Sequence, residues 1–182
     1  ARDAAAQGGD AAGGPDAAGS DPCAPRARGG GTRVGRLLAE GLKVYDATVA
    51  LGTRTATGDR GGEVVEEAPV PSLERLTEIL ASFVGERMQV PPAYSAVKID
   101  GKALYKYARA GTEVKAAPRP ITIFALEELD RGDDWFRCKL SCSRGTYARV
   151  LAEELAVELG SAGHLADLRR LRSGPFARKG GV

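Results

Sequence analysis

Three short stretches set tyrosine beside polar or charged side chains able to stack and to hydrogen-bond: Lys43-Val44-Tyr45-Asp46-Ala47, Pro92-Ala93-Tyr94-Ser95-Ala96-Val97-Lys98 and Ser143-Arg144-Gly145-Thr146-Tyr147-Ala148-Arg149. An aromatic ring stacks on an unpaired base for roughly 1–3 kcal/mol. Lysine and arginine meet phosphates, which position RNA without specifying it. An arginine also fixes a carboxylate through paired, charge-assisted hydrogen bonds. Each residue has a plain reading beside the chemical one: Tyr45 and Tyr147 suit a core, Arg149 and Lys98 a solvated surface. His164 is the single histidine, so no imidazole metal centre or histidine-based triad can be assembled, and it reads as structural. Cys23, Cys138 and Cys142 form neither a zinc pattern nor an even disulfide framework, which suits bystanders in a reducing compartment. No metal and no cofactor are expected.

The elements that must position these residues follow from periodicity. From Lys43 to Leu51 the alternation puts Tyr45, Ala47, Val49 and Leu51 on one face of a half-buried strand, with Tyr45 toward the core. The run from Gly52 to Gly62, rich in Thr, Gly and Asp, reads as an RNA-facing loop, with a second short strand around Glu63 to Glu67. Ser72 is a good helix N-cap, followed by Leu73, Leu76, Leu80 and Phe83 at helical spacing before Gly85. A helical stretch is expected from Lys102 to Arg109. A strand from Pro120 to about Leu129, a Gly132-Asp133-Asp134 turn and a strand from Trp135 to Cys142 make a hairpin. From Tyr147 a helical period carries Val150, Leu151, Leu155 and Leu159 to Gly160. Strands interspersed with helices predict the α+β class, a mixed, largely antiparallel sheet with packed helices.

At 182 residues, with 43% hydrophobic and 27% charged residues, the chain suits one globular core. Residues 1–31 contain no Val, Leu, Ile, Met, Phe, Tyr or Trp. Such a stretch cannot bury enough apolar surface to offset its ordering entropy and reads as a disordered arm. A domain over 32–176 and a tail over 177–182 complete the expected organisation. The sequence shows neither a secretory signal nor a run long enough to span a bilayer, so a soluble, cytoplasmic protein is expected. The net charge of +2 does not by itself argue for nucleic acid. Arg169, Arg170, Arg172, Arg178 and Lys179 nevertheless crowd one region, as either a phosphate-facing patch or a solvated tail.

In their order and separations the three stretches, with Gly101-Lys102-Ala103-Leu104-Tyr105 and Leu168-Arg169-Arg170-Leu171, resemble the TruB family of bacterial tRNA pseudouridine synthases. The resemblance runs from about Thr32 to Phe176. It implies a pseudouridine synthase-like catalytic domain that isomerises uridine 55 in the T loop of transfer RNA, without a cofactor. The glycosidic bond at N1 breaks, the base turns over and rejoins through C5. The base must first leave its stack, at a cost of roughly a few kcal/mol. By the same resemblance Tyr45 stacks on the uracil and takes part in moving the C5 proton. Tyr147 and Leu168 line the uracil pocket, and Arg149 pairs with the catalytic aspartate. Tyr94 and Lys98 are assigned to substrate binding, with Lys98 and the terminal arginines on phosphates.

The family carries its nucleophilic aspartate in a stretch like Gly-His-Thr-Gly-Ser-Leu-Asp-Pro-Leu-Ala-Thr-Gly, which this chain lacks. Ala18-Gly19-Ser20-Asp21-Pro22 is the nearest string, and Asp21 its counterpart only if several residues between it and Thr32 are deleted. The expectation is an impaired synthase acting as a monomer on the tRNA T arm. The alternative is a noncatalytic RNA-binding fragment that holds the T arm by shape and phosphate contacts; a plain α+β domain without an RNA role is the third reading.

Overall fold

The computed structural model describes residues 41–173 apart from Ala96, Asp100, Glu113 and Lys115, together with Phe176 and Ala177. In chain order the elements are β1 (Lys43–Leu51), β2 (Thr53–Thr55), β3 (Val64–Glu67), α1 (Leu76–Ser82), β4 (Gly85–Gln89), β5 (Lys98–Ile99), β6 (Lys102–Ala103), α2 (Leu104–Arg109), β7 (Arg119–Arg131), β8 (Trp135–Cys142), α3 (Ala148–Glu158), β9 (Gly163–Ser173) and β10 (Phe176–Ala177). Asp21, Arg178 and Lys179 lie outside the described residues, as does the expected arm.

The apolar alternation of β1 places it inside a six-stranded sheet ordered β10-β9-β1-β8-β7-β4. All its ladders are antiparallel, and the single parallel contact described is an isolated bridge between Asp59 and Leu165. One face of the sheet gathers Tyr45, Ala47, Val49, Ile123, Phe136, Leu140 and Leu165 into a core closed by α1 and α3. A fully buried Phe or Leu of this kind contributes about 1.5–3 kcal/mol. Cys138 and Cys142 belong to that core, and burial pushes their thiols up to about 12 and about 11 respectively, so they pack as small apolar groups. Short β2–β3 and β5–β6 ribbons stand apart from the main sheet.

Strand β9 departs from simple alternation twice. Tyr45 faces Arg170, Ala47 faces Leu168 and Val49 faces Leu165, with register shifts at Val44/Tyr45 and Thr48/Val49. Each bulge inserts an extra residue and turns the chain by one face. Arg170 is thereby sent inward, where it is buried with its guanidinium 5.2 Å from the centroid of the Tyr45 ring, while Arg172 stays exposed. In an unbroken strand the two arginines would share one side.

Three expectations need correction at their edges. The first helix begins at Leu76, with Arg75 at the cap position, because Leu73 to Leu76 form a preceding turn in which Leu76 N–H donates to the Leu73 carbonyl at 3.2 Å. Leu73 already packs against the core from that turn. The loop expected over Gly52 to Gly62 opens with β2, which pairs with β3 through Thr53–Glu67 and Arg54–Glu66. The expected helix from Lys102 starts at Leu104, since Lys102 and Ala103 pair back with Lys98 and Ile99.

Candidate functional site

Helix α3 begins directly after the turn that ends β8, with Tyr147 in extended conformation as its N-cap. Arg149 sits in the first turn, where the helix dipole disfavours a cation by about 0.3–1 kcal/mol. Its side chain is nevertheless buried, so acceptors must hold it. Nη1 donates to the Thr57 carbonyl at 3.2 Å and meets Asp59 Oδ2 at 3.4 Å, and Nη2 donates to the Tyr94 carbonyl at 2.9 Å. One guanidinium thus joins the β2–β3 loop, the 91–97 segment and the start of α3.

Asp59 is held before it meets the arginine. Its Oδ1 accepts from the Thr57 hydroxyl at 2.8 Å and from Gly61 N–H at 3.0 Å, which leaves Oδ2 toward Arg149. The turn depends on Gly58, whose φ of +73° suits glycine, and where an added Cβ would stand 2.7 Å from Glu153 Oε1. Main-chain bonds from Arg60 N–H to the Leu165 carbonyl and from Leu165 N–H to the Gly58 carbonyl dock this turn on β9. Glu153, one helical turn after Arg149, has its carboxyl raised above the ordinary range, first by burial, against the opposing pull of Arg54 and Arg149.

The other expected residues are distributed around this corner. Tyr45 is buried under Arg170, and Leu168, on the neighbouring strand, packs against the same core cluster, as does Ala148 between Tyr147 and Arg149. Tyr147 is half-buried, Tyr94 exposed at the rim, and Lys98 exposed on β5. His164 donates through Nδ1 to the Thr53 carbonyl at 2.8 Å and tethers β2. Asp59 was not picked out by sequence reasoning, which placed its loop toward RNA. The signal was the Thr57-Gly58-Asp59-Arg60-Gly61 string, where small residues flank one acid able to fold its carboxylate onto its own main chain. Among the described residues no group of three or more His, Cys, Asp and Glu could hold a metal, and no helix is long and apolar enough to cross a membrane.

Residues 21–148 match the family model described as TruB family pseudouridylate synthase, N-terminal domain. The tRNA pseudouridine synthase B of Aromatoleum aromaticum is 48% identical over 153 residues, covering 84% of this chain and 50% of the relative. That of Halalkalibacterium halodurans is 43% identical over 157 residues, covering 82% and 52%. The chain therefore spans about half the length of the curated relatives it matches. Among solved structures, a chain of a Cbf5-Nop10-Gar1 complex superposes with a TM-score of 0.57 at 27% identity, over 81% of this chain and 35% of that one. With the family model covering well over half of its length, this chain belongs to the TruB family of pseudouridylate synthases.

Proposed function

We propose that this chain carries the uracil-handling part of a tRNA pseudouridine synthase that converts uridine 55 of the T loop to pseudouridine. The observation that carries the reading is Arg149: a buried cation at a helix start, tied to two main-chain carbonyls and to one carboxylate oxygen at 3.4 Å. A guanidinium fixed in this way orients a carboxylate beside a base, as nucleophilic attack on a glycosidic carbon requires. Asp21 is the proposed source of the attacking carboxylate, and Asp59 keeps Arg149 in place. Tyr147 and Leu168 supply walls to the uracil. Tyr45 stacks on the base and helps move the C5 proton once Arg170 has swung off its ring. Exposed Tyr94 and Lys98 meet the RNA backbone at the rim. The reaction needs neither metal nor cofactor, and one cytoplasmic chain serves one T arm.

Release of tritium from uracil C5 in an unmodified tRNA transcript tests this directly, with Asp21→Ala and Tyr45→Phe beside the parent. Expected are slow release by the parent, loss in Asp21→Ala, and tRNA affinity that falls steeply with salt. Release that survives Asp21→Ala removes that residue from the mechanism. The second reading is a noncatalytic RNA-binding fragment that grips the T arm through exposed Tyr94 and Lys98 and leaves it unmodified. Binding without release from any variant identifies that fragment. Neither binding nor release sinks both readings.

A further inference from the structure

Edge strand β4 turns polar side chains toward the core and leaves Met88 exposed. Arg87 lays its guanidinium 3.9 Å from the centroid of the Phe83 ring and reaches Glu154 on α3 at 3.6 Å. Two residues on, Gln89 is only 2% exposed, and its carboxamide is spent on one residue. Oε1 accepts from Tyr147 N–H at 2.8 Å, and Nε2 donates to the Tyr147 carbonyl at 3.2 Å. The side chain does for Tyr147 what a neighbouring strand's peptide group does in a ladder. The same carbonyl accepts from Leu151 N–H at 3.1 Å, so Gln89 grips the point where extended chain becomes helix. Tyr147 has no side-chain cap of its own.

The grip closes a frame. Five residues after Gln89, the Tyr94 carbonyl accepts from Arg149, two residues after Tyr147. Residues 89–94 and 147–149 are thereby fastened at both ends, across sequence separations of 58 at Gln89 and 55 at Tyr94. A buried amide with both functions satisfied is costly to replace, because an apolar side chain strands two main-chain groups at once.

We propose that Gln89 is a positioning residue for the site: its carboxamide sets the main chain of Tyr147, and through it the Tyr147 ring and the reach of Arg149. What the site does rests on the reading given above; the geometry does not. A shift of about 1 Å in such groups lowers rate on the order of 100-fold, while phosphate contacts elsewhere keep RNA affinity.

The test uses the full chain with Gln89→Leu, of similar volume, and the isosteric Gln89→Glu. Backbone hydrogen exchange at the Tyr147 amide is read together with tRNA affinity and the single-turnover rate on a T-arm substrate. In Gln89→Leu the amide is expected to exchange on the order of tenfold faster, with the rate falling and affinity unchanged. In Gln89→Glu a protonated carboxyl can both accept and donate, whereas a carboxylate cannot donate. Its protection and rate relative to the parent therefore recover as pH falls. Glu154, the carboxyl that meets Arg87 beside this strand, is present in parent and variant alike, so the ratio cancels its titration. If Gln89→Leu does not fold, Gln89→Glu decides by its pH dependence. Unchanged Tyr147 exchange, a deficit in Gln89→Glu that ignores pH, or rate and affinity falling together with the folded fraction each overturn the proposal. A parent without turnover sinks the functional reading instead, and the Tyr147 exchange then decides the inference alone.

Discussion

Arg137 grips Asp46 across β8 and β1 through two hydrogen bonds of 2.7 and 2.5 Å, whereas Arg149 meets Asp59 at one oxygen, 3.4 Å away. The tighter pair holds the more exposed of the two arginines. It stands on the sheet face away from α1 and α3, with the arginine side chain 45% exposed, beside the Lys139–Glu127 contact of 3.8 Å. Charges alternate there from strand to strand, and water reaches and screens the arginine, while the Asp46 side chain is itself only 11% exposed. The looser pair has side chains only 9% and 14% exposed and shares its cation with two carbonyls. Hydrogen-bond length alone therefore does not say which arginine is costlier to remove. Burial and the variety of partners identify it, because an unpaired charge is costly only where water cannot replace the lost partner.

Removing each cation separates the two regions most sharply. Arg149→Met leaves Asp59 Oδ2 and the Thr57 and Tyr94 carbonyls without this donor, and about 3–5 kcal/mol of stability should go with it, read by urea unfolding. Under the proposed function, single-turnover modification should fall on the order of 100-fold; a variant as stable and active as the parent would break the comparison. Asp59→Asn keeps an oxygen for Thr57 and Gly61 but removes the anion opposite Arg149. A loss of about 1–3 kcal/mol is expected, seen as a lower urea midpoint at unchanged m-value. Arg137→Ala should move the midpoint less than either, with the difference fading as salt is added and tRNA affinity untouched.

The smallest effect concerns Glu153. Burial raises its carboxyl above the ordinary 4.5 in the folded chain, so that chain holds the proton more tightly than the unfolded one. This group's contribution to stability falls as pH rises from about 4.5 until the folded-state carboxyl has ionised. Glu153→Gln should therefore gain slightly on the parent at pH 7 and lose that gain below pH 4.5, as thermal midpoints across a pH series will show.

Elements with clean periods were legible. β1, the β7–β8 hairpin and α3 lie where alternation or helical spacing put them, and Tyr45 faces the core as expected. β9 was not read as a strand, because its two bulges leave Leu165, Leu168 and Arg170 on one face at spacings of three and two. β4 was missed for the opposite reason: Gln89 is buried and Met88 exposed, so the hydrophobic pattern is inverted. That inversion has a physical cause in α3, whose Glu154 and Tyr147 main chain take the inward polar groups.

The sequence by itself determined which residue types stand at Tyr45, Tyr94, Tyr147, Arg149 and Leu168, and the local elements that carry most of them. Tertiary structure decided their partners. Asp59 reaches Arg149 across 90 residues and Gln89 reaches Tyr147 across 58. In an unbroken element local pattern fixes which face a side chain takes, since that depends on backbone periodicity; the bulges of β9 and the inverted pattern of β4 escape it. Which distant polar groups converge depends on strand order, bulges and loop docking, and these follow from burying the whole core at once.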